Sequence, residues 1–395
     1  MKTHSAGGIM ATADAVIIGG GVMGCGMLYN LATRGVTNTV LLEKDVLASG
    51  STSKSQAILR MHYSNEVTTD LAWKSLELFK NFEDMTGMPS GYTQTGYFLI
   101  VDHENRAALR ENVAMQKRIG VDTDIVTVED VRDIAPMLAT ADNEAYAYEP
   151  QSGYADPYSV TTGYANAARE LGAQVRSGTP VTGIDIDGDR VRAVLTADER
   201  IETDIAVIAA GPWSGPLLKS VGVDLHLQPV RHQVVMLRRP QDIVPDHPII
   251  GDVVNDLSAR PDTGNLTLVG VGEEDHSDPD TYNQGVDMPM VEKTFDALVN
   301  RMPGMSQALF RGGWSGLFTT TPDWHPVLDR IDGIDGLYCA VGFSGHGFKL
   351  SPMITQAMAE MITGEPTSVD ISMLDLKRFE EGRLMKSRYS MQVLA

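Results

Sequence analysis

Ala15-Val16-Ile17-Ile18-Gly19-Gly20-Gly21-Val22-Met23-Gly24 is the stretch that decides the fold of this chain. A short apolar run enters a glycine turn, and an apolar helical pattern leaves it, from Val22 to about Arg34. Strand, turn and helix follow in that order. In the spacing Gly19-x-Gly21-x-x-Gly24 each glycine has a use. Gly19 permits the tight turn, Gly21 lets backbone approach a pyrophosphate, and Gly24 lets helix and strand pack closely. The helix N-terminus then offers unpaired N–H groups to phosphate charge. A second strand, Thr39-Val40-Leu41-Leu42, ends in Glu43. That acid lies about 20 residues beyond the glycines, where an acceptor for ribose hydroxyls belongs. Glycine turns without ligands are common, so it is the combination that predicts a bound dinucleotide. Gly19, Gly21, Val22, Met23, Gly24, Glu43 and Lys44 are its candidate contacts.

Further along, Ala48–Gln56 is small and polar and reads as a loop close to a ligand. A helix capped by Ser64 or Asn65 runs to about Met85. Tyr92–Val101 alternates and reads as one strand, His103–Ile119 as a charged helix, and Tyr146–Glu149 as another strand. Tyr158–Leu171 reads as a helix, and Asp187-Gly188-Asp189 as a hairpin turn. Ile205–Trp213 repeats the opening logic: an apolar strand, small residues, then a helix with proline in its first turn. From Leu225 to Thr320 the pattern is β-rich, interrupted by a helix at Met288–Arg301. Leu337–Val341 enters Gly342-Phe343-Ser344-Gly345-His346-Gly347-Phe348-Lys349, and a closing helix is expected at about Pro352–Ile362. The expected fold is α/β. A Rossmann-like nucleotide domain (11–90, 150–224 and 330–395) is interleaved with a β-rich, antiparallel substrate domain (91–149 and 225–329).

The chain has 395 residues, enough for two domains or one large α/β unit with an inserted layer. Its formal net charge of −20 argues against nucleic acid or an anionic membrane as partner. Cys25 and Cys339 look like small core residues, and no disulfide or zinc spacing exists. A reducing cytoplasm fits that usage. No apolar run approaches a membrane span. Residues 1–10 read as a disordered leader rather than a signal peptide, with Met10 a candidate start. The acidic cluster Glu273–Asp278 has no metal-ligand spacing and reads as a solvated loop; no metal is expected.

Taken together, Gly19–Gly24, Glu43, Gly50–Arg60, Ala209-Ala210-Gly211-Pro212-Trp213, Arg260-Pro261-Asp262-Thr263-Gly264 and Gly342–Lys349 resemble the D-amino-acid-oxidase superfamily of FAD enzymes. Within it the likeness is to the sarcosine oxidase, dimethylglycine dehydrogenase and sarcosine oxidase β-subunit group. The resemblance implies a two-domain flavoenzyme that oxidises the C–N bond of an amine or amino acid. It implies Glu43 at the adenosine ribose and Val181 at the adenine. Ser51, Thr52, Ser53, Ser55 and Gln56 would lie along the flavin. Ala210, Gly211 and Trp213 would form a second approach to the cofactor. Gly342, Gly345, His346, Gly347, Phe348 and Lys349 would sit near the isoalloxazine. Lys349 matches a ligand of the substrate carboxylate and Arg60 its partner; an arginine fork and a lysine point charge can share one carboxylate. His62 is a further candidate for the substrate pocket, and His346 for acid–base chemistry.

Departures from the group shape the expectation. The position that carries a flavin-tethering cysteine falls at Gly316, and the loop Ser51–Gln56 holds no histidine, so FAD is expected to be non-covalent. No lysine stands in Leu266–Val269, where the group's oxygen-activating lysine belongs, which leaves a dehydrogenase open. The chain is expected to lack the folate-binding extension of long dimethylglycine dehydrogenases. His232, beside Arg231, is expected at the domain junction rather than in catalysis. Trp314, Phe318 and Trp324 read as core more than cage. The electron acceptor is O2 or a protein, and an oligomer is compatible. The alternatives are a D-amino-acid or 2-hydroxy-acid dehydrogenase, or the flavin subunit of a multi-subunit sarcosine oxidase or proline dehydrogenase.

Overall fold

The computed structural model describes residues 11–272 and 275–389. The expected leader 1–10 and the acidic pair Glu273-Glu274 lie outside the described residues.

The chain is α/β. One sheet has six strands, in the order Gln174–Arg176, Thr39–Leu42, Ala15–Ile18, Ala206–Ile208, Leu337–Val341 and Val327–Arg330. The first four neighbouring pairs are parallel and the last is antiparallel. Its central strands are apolar on both faces, because both faces are covered. The helices Val22–Thr33, Pro157–Glu170 and Gly347–Thr363 pack on one face. A four-stranded sheet containing the hairpin Val181–Asp187 and Arg190–Thr196 packs on the other.

The second large sheet has nine strands and is mostly antiparallel. It draws on Tyr97–Asp102 and Glu144–Glu149 from the first half of the chain and on Gln228–Arg238 through Leu309–Thr320 from the second. Leu309–Thr320 pairs along Gln228–Arg238, with one register shift. The helix Met288–Arg301 covers the core on one side of this sheet.

Three local expectations are corrected. The helix after Asn65 is capped as expected, with the Asn65 side chain accepting from Thr68 N at 2.7 Å. It stops at Lys80, and a separate short helix, Phe82–Thr86, follows the break at Asn81. Tyr92–Val101 is two strands, Thr93–Gln94 and Tyr97–Asp102, because Gly96 between them adopts φ +75° and turns the chain into a different sheet. The closing helix starts at Gly347, and Pro352 lies inside it. Proline has no N–H for the Phe348 carbonyl. The Ser351 hydroxyl donates to that carbonyl instead, at 2.8 Å. Lys349 is therefore in the first helical turn, not before it.

Candidate active site

A continuous cavity of about 1080 Å³ is walled by residues of both large sheets and the loops that join them. At one end the wall is mostly backbone. Gly19 has φ +114°, and a Cβ there would sit 2.4 Å from the Ala209 carbonyl oxygen. A Cβ on Gly24 would sit 1.9 Å from the Gly19 carbonyl oxygen, so Gly24 lies behind the turn and lets helix and strand touch. Gly19, Gly21, Val22 and Met23 are in the wall. Glu43 is almost buried, its carboxylate accepting from Gly20 N at 2.6 Å and Asp45 N at 2.8 Å. Each oxygen keeps a second acceptor site, and Glu43 also lines the cavity. Lys44, Val181, Ala210, Gly211 and Trp213 complete this end. The Lys44 ammonium lies 3.5 Å from the Trp213 ring centroid, and Trp213 Nε1 donates to Asp280 at 2.7 Å. This is a cradle for a dinucleotide: glycines that a side chain would fill, a helix N-terminus and a carboxylate beside them.

Ser51, Thr52, Ser55 and Gln56 carry the wall onward; Ser53 is exposed and outside it. Thr52 Oγ1 accepts from Val22 N at 3.2 Å, and Ser51 Oγ donates to the Leu317 carbonyl at 2.7 Å. Gly316 is in the wall, but a Cβ there would meet Lys54 Cβ at 2.5 Å. Cys25 and Cys339 are fully buried, outside the wall, with thiol pKa values raised chiefly by burial. Neither is placed to tether a cofactor.

At the other end the wall is made of side chains. Arg60 is 6% exposed and Lys349 8% exposed. The Arg60 guanidinium donates to the His62 carbonyl and lies 4.4 Å from the Tyr63 ring centroid. Lys349 Nζ donates to the Gly345 carbonyl at 3.4 Å. Burial, and then the charge of Arg60, push the Lys349 pKa well below the usual lysine range. Among the described residues no carboxylate pairs with this ammonium. Gly342, Gly345, Gly347 and Phe348 line the cavity beside it.

His62 and His346 are not brought to this wall. Both are 0% exposed. His62 Nε2 pairs with the Tyr389 hydroxyl at 2.8 Å, and Nδ1 lies 3.7 Å from Glu149 Oε1. Burial, then Arg60, hold its pKa down at about 3. His346 is the N-cap residue of the closing helix, and its ring turns inward, with Nδ1 3.2 Å from the Tyr63 hydroxyl and a stacked contact on His325 at 5.8 Å. Burial first, then the charges of Lys349, His325 and Arg60, push its pKa well below normal. Both imidazoles pack behind the cavity wall rather than in it, although each was expected at the ligand.

His232, expected at the domain junction rather than in catalysis, stands in the cavity wall. It is stacked on Phe318 at 4.7 Å, while Arg231 pairs with Asp275 and Asp287. The signal was available: two-residue alternation along Gln228–Arg238 puts His232 and Val234 in the same wall. Burial lowers the His232 pKa to about 4. A Cβ on Gly270 would stand 3.0 Å from both His232 Nε2 and Gln56 Nε2, so glycine there keeps room for both. Phe318 and Trp324 also line the cavity, whereas Trp314 donates to the Lys54 carbonyl at 2.8 Å outside it.

A family model described as FAD dependent oxidoreductase matches residues 14–361. Mitochondrial sarcosine dehydrogenase of Mus musculus is 26% identical over 392 residues, which is 96% of this chain but 42% of that protein. Sarcosine oxidase subunit beta of Arthrobacter sp is 27% identical, with 94% of this chain and 92% of that one covered. The crystal structure of L-proline dehydrogenase from P. horikoshii superposes with a TM-score of 0.89 at 28% identity, covering 95% of this chain and 100% of that one. The chain thus spans less than half the length of the mitochondrial relative. No helix among the described residues is long and apolar enough to cross a membrane.

Proposed function

This chain belongs to the FAD dependent oxidoreductase family, and from that premise we propose that it oxidises the C–N bond of an N-alkyl amino acid of the sarcosine or dimethylglycine kind. The observation that carries the reading is the pair of buried cations, Arg60 and Lys349, in one cavity wall with no carboxylate on Lys349 among the described residues. An anionic ligand would offset the burial and the Arg60 repulsion that oppose the Lys349 charge, and the fork of Arg60 suits a carboxylate.

The cradle Gly19–Met23, Glu43 and Trp213 would hold the adenosine and pyrophosphate, and the loop Ser51–Gln56 would run beside the flavin. Held there, FAD would supply the acceptor for a hydride from the carbon next to the amine nitrogen. The protein's part is orientation and electrostatics. Arg60 and Lys349 fix the carboxylate and so the reach of the reacting carbon. The amine would react in its neutral form, since its lone pair must form the iminium, and His232, held neutral by burial, would face it as a hydrogen-bond partner rather than as a second positive charge. The apolar faces of Phe318 and Trp324 exclude water there. Hydrolysis of the iminium of an N-methyl substrate yields formaldehyde and the demethylated amine.

Two observations favour transfer of electrons to a dye or protein over O2. Leu266–Val271 carries no lysine, and Gln56, His232 and Ser258 close around Gly270. The test is anaerobic flavin bleaching by sarcosine, dimethylglycine, proline, D-amino acids and 2-hydroxy acids in turn, followed by air or an artificial acceptor. Bleaching by an N-alkyl amino acid with formaldehyde released supports the reading. Bleaching only by a hydroxy acid overturns it.

A further inference from the structure

Tyr97 opens the strand Tyr97–Asp102 of the β-rich sheet and is 3% exposed. It stands in the same cavity wall as Arg60 and Lys349. Its side chain lies across the neighbouring strand Ile249–Asp252: a Cβ on Gly251 would sit 2.1 Å from the Tyr97 hydroxyl. Gly251 is in the wall too, so glycine at this position gives the phenol its place at the cavity. Among the described residues no hydrogen bond reaches this hydroxyl. Buried tyrosine hydroxyls ordinarily have a partner. Burial raises the Tyr97 pKa, the nearby Arg60 charge opposes that rise, and Glu149 and Tyr63 add to it. The phenol stays protonated and is a donor.

We propose that the Tyr97 hydroxyl is a third ligand of the substrate carboxylate, donating to it alongside Arg60 and Lys349. This rests on the carboxylate-clamp reading given above. Its consequence is geometric. Lys349 comes from a helix packed on the parallel sheet, Arg60 follows the strand Ile58–Leu59 of a small three-stranded sheet, and Tyr97 comes from the β-rich sheet, so the carboxylate would tie all three together. The cations supply charge, and the neutral phenol fixes the tilt of the carboxylate through one directional bond.

The test uses the FAD-loaded full chain and propionate, a carboxylate with no amine to titrate, followed by its perturbation of flavin absorbance. Tyr97→Phe is expected to weaken propionate about tenfold or more, and to raise KM for the amine substrate alike while kcat stays within about twofold. Gly251→Ala, which displaces the hydroxyl while leaving it in the chain, is expected to give the same loss. Unchanged propionate affinity in Tyr97→Phe, with affinity lost in Lys349→Met, overturns the role of Tyr97 and leaves the clamp standing. Unchanged affinity in Lys349→Met as well removes the clamp, and this proposal with it. A fall in Tm and kcat at constant affinity makes the hydroxyl structural and also overturns the proposal.

Discussion

Two glycine turns face the same cavity from strands that flank Ala206–Ile208 in one sheet, and they work differently. Ala15–Ile18 passes through Gly19–Gly21 into the helix Val22–Thr33. Leu337–Val341 passes through Gly342–His346 into the helix Gly347–Thr363. The first turn offers backbone: N–H groups, glycines without room for a Cβ, and a carboxylate that braces Gly20. The second has the same architecture but carries Phe348 and Lys349 in its first helical turn, and it acts with Arg60 from another part of the chain. On the proposed function, one fold device would serve the cofactor through main chain and the substrate through side chains.

The largest expected effect lies in the first turn. Gly24→Ala drives a methyl into the Gly19 carbonyl and is expected to abolish FAD retention, read as loss of visible flavin absorbance from purified protein. Gly347→Ala meets the Phe343 side chain at 3.1 Å and Met23 Cε at an ordinary 3.5 Å, and should keep its FAD with a Tm lowered by a few degrees at most. Equal loss from both variants would break the comparison.

Next comes the clamp. Lys349→Met should raise KM for the carboxylate substrate about 100-fold, equivalent to roughly 2–3 kcal/mol for one partner of a buried charged contact, while FAD content holds. Steady-state kinetics on the flavin-replete variant decides it; a fall in kcat at constant KM would place Lys349 in chemistry rather than binding.

Glu43→Gln should weaken FAD about tenfold, near 1.4 kcal/mol for a charged hydrogen bond made neutral, with substrate KM unchanged. Equilibrium dialysis of FAD against the apoprotein measures this.

At neutral pH the buried imidazoles have the smallest effect of all, and it grows only on acidification. His62 and His232 titrate at about 3 and 4 in the fold, and His346 lies well below its ordinary value. Unfolded, each takes a proton near pH 6.5. The unfolded chain therefore binds more protons between those values. Their contribution to stability is full above about pH 6.5 and is lost as pH falls toward 4, by up to about 1.4 kcal/mol per pH unit for each. Tm measured from neutral to acid pH should fall, and His62→Gln should flatten the slope. A slope unchanged in that variant would mean that the His62 ring is protonated in the fold.

The first turn was legible because its chemistry is local. Glycine spacing, an apolar strand on either side and an acid at the end of the second strand all follow from backbone geometry. The second turn was legible only in part. Pro352 reads as a helix start, and no residue pattern announces that Ser351 will occupy the orphaned carbonyl. Gly345 and Gly347 are in the wall, but the ring of His346 between them goes to Tyr63 and His325, contacts made with distant parts of the chain. His232 was hidden by its neighbour: Arg231 is tied to Asp275 and Asp287 within the β-rich part, and strand alternation sends His232 the opposite way, into the cavity wall. Arg60 and Lys349 were paired through resemblance, and only the cavity shows them sharing a wall.

The central claim is that this wall holds a substrate carboxylate while the bound flavin oxidises the neighbouring C–N bond. The most direct measurement is the anaerobic rate of flavin reduction by sarcosine and by dimethylamine, which has no carboxylate, in the wild type and in Lys349→Met. The account predicts fast reduction by sarcosine alone, and collapse of that preference in the variant. Equal reduction by both amines in the wild type, or a preference untouched by Lys349→Met, would contradict it.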